Sequence, residues 1–217
     1  MEIKKTNDQF SYKNRKKLNS DFMNKDLRRS NCYNCDFTES NFNYTSFRGA
    51  QFKSCNFNKC TFEFTEFVAA NFKRSYFKNA KFENTIFDTV NLEGVNLEGA
   101  EFKNVIFVST DVSKAGNFDI ENPNIKIYDK MPKLKISKSL ETTVKDIMKN
   151  SFIKASRVLD TKDKKINPLS MIILLENFDE ETLIKGLNIF EEKLEHNFST
   201  LGHIIKCLQN YKLEGII

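Results

Sequence analysis

From Phe22 onward the chain places an apolar residue at every fifth position. The series runs Phe22, Leu27, Cys32, then phenylalanine at each slot from Phe37 to Phe87, then Leu92, Leu97, Phe102, Phe107 and Val112. That makes nineteen consecutive slots, and fourteen of the 21 phenylalanines occupy them. Two residues before each slot lies a second repeating position. From Ser20 to Thr110 it holds Ser, Thr, Cys, Ala or Val in every unit except the one carrying Lys25. The other three positions are mostly Asn, Lys, Glu, Asp, Arg and Gly. A period of five matches neither the 3.6 residues of an α-helix nor the two of a strand. It predicts a solenoid whose short sides each turn one small and one large side chain inward and leave the rest in water.

The unit is written most plainly in VNLEGVNLEGAEF from Val90. Residues 20–114 resemble the pentapeptide-repeat family, whose consensus is A(D/N)Lxx. That resemblance implies a right-handed quadrilateral β-helix with four pentapeptides per coil, here roughly 4.75 coils. Residues twenty apart would then stack, and the sequence offers its own check. Phe22, Phe42, Phe62, Phe82 and Phe102 form one unbroken column. Asn31, Gln51, Asn71, Asn91 and Asp111 form another, expected to ladder side-chain hydrogen bonds along the stack.

The register fails after Val112, where the next slot is Asn117 and Phe118 comes one place late. Ile125, Ile127, Leu134 and Ile136 alternate with polar neighbours or Tyr128 in two short strand-like runs. Residues 115–138 are therefore expected to link and cover the last coil, as residues 1–19 are expected to cap the first. From Ser139, read as an N-cap, Leu140, Val144, Ile147, Met148, Ser151, Ala155, Val158 and Leu159 follow helical spacing. Asn167 and Pro168 open a second helix to Asn177, whose MIILL is apolar all round and so expected at the centre. Asp179 opens a third helix to about His196, and Ser199 a fourth to about Tyr211. The fold class is thus mainly β solenoid plus α, with residues 139–217 a small antiparallel helical bundle.

Composition narrows the chemistry. No run of 18 apolar residues exists, so no membrane-spanning helix is expected. The N-terminal MEIKKTNDQF lacks the apolar stretch of a secretory signal, which makes the cytoplasm the expected compartment. Five cysteines, an odd number, argue for free thiols. Cys32 and Cys35 have C-x-x-C spacing, yet they are successive inward slots of the repeat, as are Cys55 and Cys60. His203 and Cys207 stand four apart on a helix with only His196 nearby, too few ligands for zinc. No phosphate-binding glycine loop, nucleophile elbow or metalloprotease motif occurs. No catalytic residue, cofactor or metal is therefore expected. The net charge of +5 over 217 residues is too small to imply nucleic acid, and the basic run Lys13 to Lys17 reads as part of a solvated cap.

One side of the coil departs from the outward-polar rule. Val68, Ile86, Ile106 and Val108 flank its Phe47, Phe67, Phe87 and Phe107, with Tyr44 and Phe64 at the leading corner. These six form the candidate interface, since contiguous apolar surface marks a contact. Its expected occupant is the chain's own C-terminal region or, failing that, a protein partner or a second copy in a homodimer. The expected function is a non-enzymatic scaffold for protein–protein interaction. The alternative, brought by the quinolone-resistance branch of the family, is protection or inhibition of a type II topoisomerase by DNA mimicry. Mimicry needs an acidic rod, whereas residues 20–114 carry twelve acidic and twelve basic side chains. The bases concentrate from Arg48 to Lys81 and the acids from Glu83 to Glu101, so that alternative is disfavoured.

Overall fold

The computed structural model describes residues 10–161 and 163–217, and the chain divides into two compact units between Ile127 and Tyr128. The first unit is a parallel β-solenoid of about six turns. Its strands are only three or four residues long: β1 (Ser11–Lys13), β2 (Asn31–Tyr33), β3 (Gln51–Lys53), β4 (Thr61–Glu63), β5 (Glu66–Val68), β6 (Lys81–Glu83), β7 (Ile86–Asp88), β8 (Glu101–Lys103), β9 (Val105–Val108) and β10 (Ile125–Tyr128). They form three ladders, β1-β2-β3, β4-β6-β8 and β5-β7-β9-β10. Partners lie twenty residues apart, as in Tyr12↔Cys32↔Phe52 and Phe62↔Phe82↔Phe102, so four pentapeptides make one coil.

The sequence of each pentapeptide follows from the corner it must turn. The second residue after each inward slot, from Asn14 to Ser109, is left-handed, with φ between 47° and 68°. Only Gly and short polar residues enter that region cheaply, which explains the recurrence of Asn and Gly there. Asn or Asp just before the slot closes the turn locally. The side chains of Asp21, Asn56 and Asn96, for example, accept the N–H groups of Met23, Asn58 and Glu98 at 2.9–3.0 Å. The slot's own N–H leaves the coil, as when Phe42 donates to the Thr61 carbonyl at 2.9 Å and Phe57 to that of Tyr76 at 2.7 Å.

Inside, the phenylalanines stack in columns. Rings of Phe22, Phe42, Phe62, Phe82 and Phe102 lie 4.7–5.4 Å apart and within 11° of parallel. The small inward position supplies hydroxyl donors: Thr45, Thr65 and Thr85 donate to the carbonyls of Phe22, Phe42 and Phe62 in the coil before. The polar column behaves differently from expectation. Asn71 does donate to Gln51 at 3.2 Å, but Asn91 and Asp111 turn back to accept the N–H groups of Glu93 and Ser113.

The solenoid is longer than the apolar series. It starts by Phe10, because β1 pairs with β2 and Lys16 bridges Asp36, so Lys13 to Lys17 are part of the first coil and not a cap before it. The first turn escaped the pattern because Lys17 fills an inward slot, its ammonium 5.0 Å from the centre of the Tyr12 ring. Residues 1–9 of the expected cap lie outside the described residues. At the other end Phe118 packs edge-on to Phe102 and Phe107, and β10 extends the last ladder. The expected second strand at Leu134 and Ile136 does not form; those residues run without regular structure into the helices.

The second unit contains α1 (Lys138–Ile147), α2 (Ser151–Ser156), α3 (Pro168–Asn177), α4 (Glu180–Lys193) and α5 (Leu201–Leu213). Ser137, not Ser139, caps α1, accepting the Leu140 N–H at 3.2 Å. The single long first helix breaks in two because the Asn150 side chain accepts from Phe152 and Ile153 and starts α2 afresh. Asn167 with Pro168 and Asp179 cap α3 and α4 as the sequence predicts. Thr200, rather than Ser199, stands at the start of α5. The hub is α4, packed against α1, α3 and α5, whereas α3 keeps Ile172, Ile173 and Leu175 only half-buried. No helix among the described residues is long and apolar enough to cross a membrane.

Candidate functional site

The axis of the solenoid is closed. Phe37, Phe42, Phe47, Phe52, Phe57 and their successors to Phe82 are at most 2 % exposed, so variation from coil to coil falls on the outer wall. The thiols belong to this interior: burial pushes Cys32, Cys55 and Cys60 up to about 12, which keeps them protonated and unreactive. The Cys60 thiol donates instead to the Phe37 carbonyl at 3.0 Å.

The side built on Leu27, Phe47, Phe67, Phe87 and Phe107 changes character along its length. Its first coils present Asp26 and Arg28, joined by a two-pronged ion pair at 2.5–2.7 Å, and then Arg48 and Glu66. Its later coils present the apolar candidates. Ladder pairing sets Glu66, Ile86 and Ile106 in one outward column, and Val68, Asp88 and Val108 in the next. Ile86, Ile106 and Val108 are 8 %, 4 % and 0 % exposed, and Val68 is half-buried. At the corner Tyr44 and Phe64 stack with ring centres 5.4 Å apart, both half-buried and both in the left-handed conformation. Desolvation, with the neighbouring Glu63 carboxylate, raises the Tyr44 phenol above its ordinary value. The register thus joins Ile86 to Ile106 and the stack joins Tyr44 to Phe64, while Asp88 separates Val68 from Val108; of the six, Tyr44, Phe64 and Val68 stay half-exposed and the other three are covered.

The side built on Tyr12, Cys32, Phe52 and Phe72 carries a feature that the sequence reading passed over. Ladder pairing lines up Lys13, Tyr33 and Lys53 as outward neighbours. Tyr33 is 50 % exposed, and Tyr76, just around the corner, is 51 % exposed. The signal was available: every twentieth residue from Lys13 reads Lys, Tyr, Lys, Lys.

Charge along the rod is arranged between coils. Lys59, Lys73, Lys78, Lys81 and Lys103 pair with Glu39, Glu93, Glu98, Glu101 and Glu83, each twenty residues away, at 2.5–3.2 Å. Basic middle coils followed by acidic ones, puzzling as a linear pattern, thus become facing partners.

In the helical unit the Cys207 thiol lies 3.8 Å from His203 Nε2, and His203 stacks on Phe198. Burial raises the thiol and lowers the imidazole, helped by His196 and Lys206, so both are held neutral. Among the described residues no group of three or more His, Cys, Asp or Glu is placed to hold a metal.

A family profile for pentapeptide repeats matches residues 20–58, 55–94 and 86–115, in eight copies, and nothing of the kind matches the helical unit. No curated protein matches the sequence. Among solved structures, HetL of the cyanobacterium Nostoc, involved in heterocyst differentiation regulation, is 18 % identical over 50 % of this chain and 48 % of its own, with a TM-score of 0.38. This chain therefore spans about half of that protein. QnrB1, a plasmid-mediated fluoroquinolone resistance protein, is 17 % identical over 54 % of this chain and 84 % of its own, with a TM-score of 0.35. A pentapeptide repeat protein of the Arabidopsis thaliana thylakoid lumen is 12 % identical over 59 % and 76 %, also at 0.35. The five-residue period, the twenty-residue ladder register and this profile match agree that residues 20–115 are a run of pentapeptide repeats.

Proposed function

We propose that this chain is a non-enzymatic scaffold for protein–protein contact, with the half-buried Tyr44, Phe64 and Val68 as its open contact surface and the already covered Ile86, Ile106 and Val108 as the apolar ground beside it. The division of labour across the coil wall carries this reading. Phenylalanine rings fill the axis and leave no room for a substrate, while the outward positions are free to vary. Ile86 and Ile106 are already covered, whereas the stacked Tyr44 and Phe64 rings and Val68 keep apolar surface in water at positions outside the core. Apolar side chains are favoured over Lys or Asn at such positions where a partner covers them. The wall that presents them is tied coil to coil by backbone hydrogen bonds, so little ordering entropy is lost when a partner docks.

The test is site-specific photocrosslinking in cells, with a photoreactive phenylalanine analogue at Phe64 or in place of Tyr44. A discrete higher-mass protein adduct is expected, and it should vanish in the Val68→Glu variant, a change at a half-buried position whose folding is checked by thermal melting. Absence of any adduct from both positions would overturn the proposal.

A further inference from the structure

Composition argues against nucleic acid because the net charge is only +5, but the fold does not spread that charge evenly. On the Phe52 side, outward positions through Arg74 carry Lys13, Lys53, Lys73 and Arg74 and no carboxylate, and Arg15 adds a cation from an inward slot where it is nonetheless exposed. Glu93 pairs with Lys73 at 2.8 Å and lies within electrostatic reach of Arg74, so the cations without that neighbour are Lys13, Arg15 and Lys53. Successive rungs are about 4.8 Å apart, so the column Lys13, Tyr33, Lys53, Lys73 is a straight cationic track interrupted by one exposed aromatic ring.

Beside this track, at the corner leading to Tyr76, lies an open groove of about 410 Å³. Its lining includes the polar Asn14, Asn34, Ser54 and Asn56, with Asn34 donating to Asn14 at 2.9 Å, and the larger Arg15, Lys16 and Tyr76. The one carboxylate on it, Asp36, already accepts the N–H and hydroxyl of Thr38. Arg15 stands where later coils place Cys35, Cys55, Ser75 and Val95, and it is exposed.

We propose that this side of the first four coils binds single-stranded nucleic acid, its phosphates on the lysine and arginine track and unpaired bases against Tyr33 and Tyr76. A cationic track with interleaved aromatic rings is the chemistry that holds an unpaired strand, because each base offers a face to stack while phosphates repeat along the track. Amide and hydroxyl groups lining the groove suit base edges, which both donate and accept. Duplex is disfavoured, since its base faces are already stacked on one another. An acidic peptide would use the cations but not the two tyrosines. The site lies on a different side of the coil from the apolar corner, so either reading stands or falls without the other.

Fluorescence anisotropy of the full chain with labelled dT20 and U20, and with a duplex of mixed sequence, tests the proposal. Single strands should bind at 50 mM salt and weaken as salt rises, with a slope of about −0.7 per phosphate contacted. Lys13→Glu/Lys53→Glu/Arg74→Glu should lose at least tenfold in affinity. Tyr33→Ser/Tyr76→Ser should lose about tenfold while keeping the salt slope, and Tyr33→Phe/Tyr76→Phe should bind like the original. These side chains are exposed, and unchanged melting temperatures verify folding. A flat titration, equal affinity for duplex, or undiminished binding by the Tyr→Ser variant would overturn the proposal.

Discussion

The two units hold themselves together under different rules. In the solenoid each inward residue meets neighbours at fixed offsets, twenty residues along the chain and five around the coil. In the helical unit the offsets are irregular: the Ser137 N–H reaches Glu180 Oε1 at 3.2 Å, Asn150 donates to Glu191, and Ser170 donates to the Val158 carbonyl. A repeating offset lets one local rule specify a whole unit, whereas an irregular one makes each contact a separate choice.

The largest effect that sharpens this contrast comes from the centre of the stack. Phe62 is 1 % exposed and lies between Phe42 and Phe82 at 5.4 and 5.0 Å. Phe62→Ala should cost about 3–5 kcal/mol in urea unfolding. Phe62→Leu should cost under about 1.5 kcal/mol, because Leu92 and Leu97 fill equivalent slots. If the two cost the same, the slot is not the interchangeable unit described.

Next comes the α4–α5 contact. A Cβ at Gly186 would stand 2.9 Å from Leu208 Cγ and 3.0 Å from Ile217 Cδ1. Gly186→Leu should therefore destabilise by about 1–3 kcal/mol. In the solenoid, Gly49, with φ +68° and its nearest neighbour at 3.7 Å, should accept Asn almost neutrally. Similar losses at both sites would erase the distinction between a packing glycine and a turn glycine.

Smaller still is a stabilising change. Thr89 is exposed and β-branched at φ 57°, a conformation that penalises it. Thr89→Asn should gain about 1 kcal/mol, read as a raised melting temperature. The smallest effect is expected at the inter-coil ion pairs. Lys78 and Glu98 are each about half exposed, so Lys78→Gln should leave the melting temperature unchanged, in low or high salt. A clear loss there would mean that surface charge, not the aromatic stack, holds the coils in register.

Legibility followed the same divide. Phe22 to Val112 announced the coil because its period is unlike that of any other element. The turn recovered at its start, with Phe10, Tyr12 and Lys17, stayed hidden because Lys17 interrupts the apolar series at an inward slot. Phe118, one place late, looked like the end of the pattern and is instead a ring closing over Phe102 and Phe107. Caps at Asn167 and Asp179 were readable because the residues alone specify them. The break at Asn150 was missed because apolar spacing continues through it, and the hub role of α4 because spacing does not say which faces meet. Candidate residues Ile86 and Ile106 were found as violations of a rule. Tyr33 and Tyr76 were not, since a tyrosine at an outward position violates nothing.

The backbone hydrogen bonds between coils have a mechanical consequence. They run from one coil to the next, along the axis of the rod. Tension applied to the two ends of the solenoid therefore loads these bonds head-on and one coil at a time, rather than shearing a whole ladder together. Such a rod resists bending and twisting but peels under a steady pull. Each released coil of twenty residues pays out about 70 Å of chain, giving a force trace of low, evenly spaced steps.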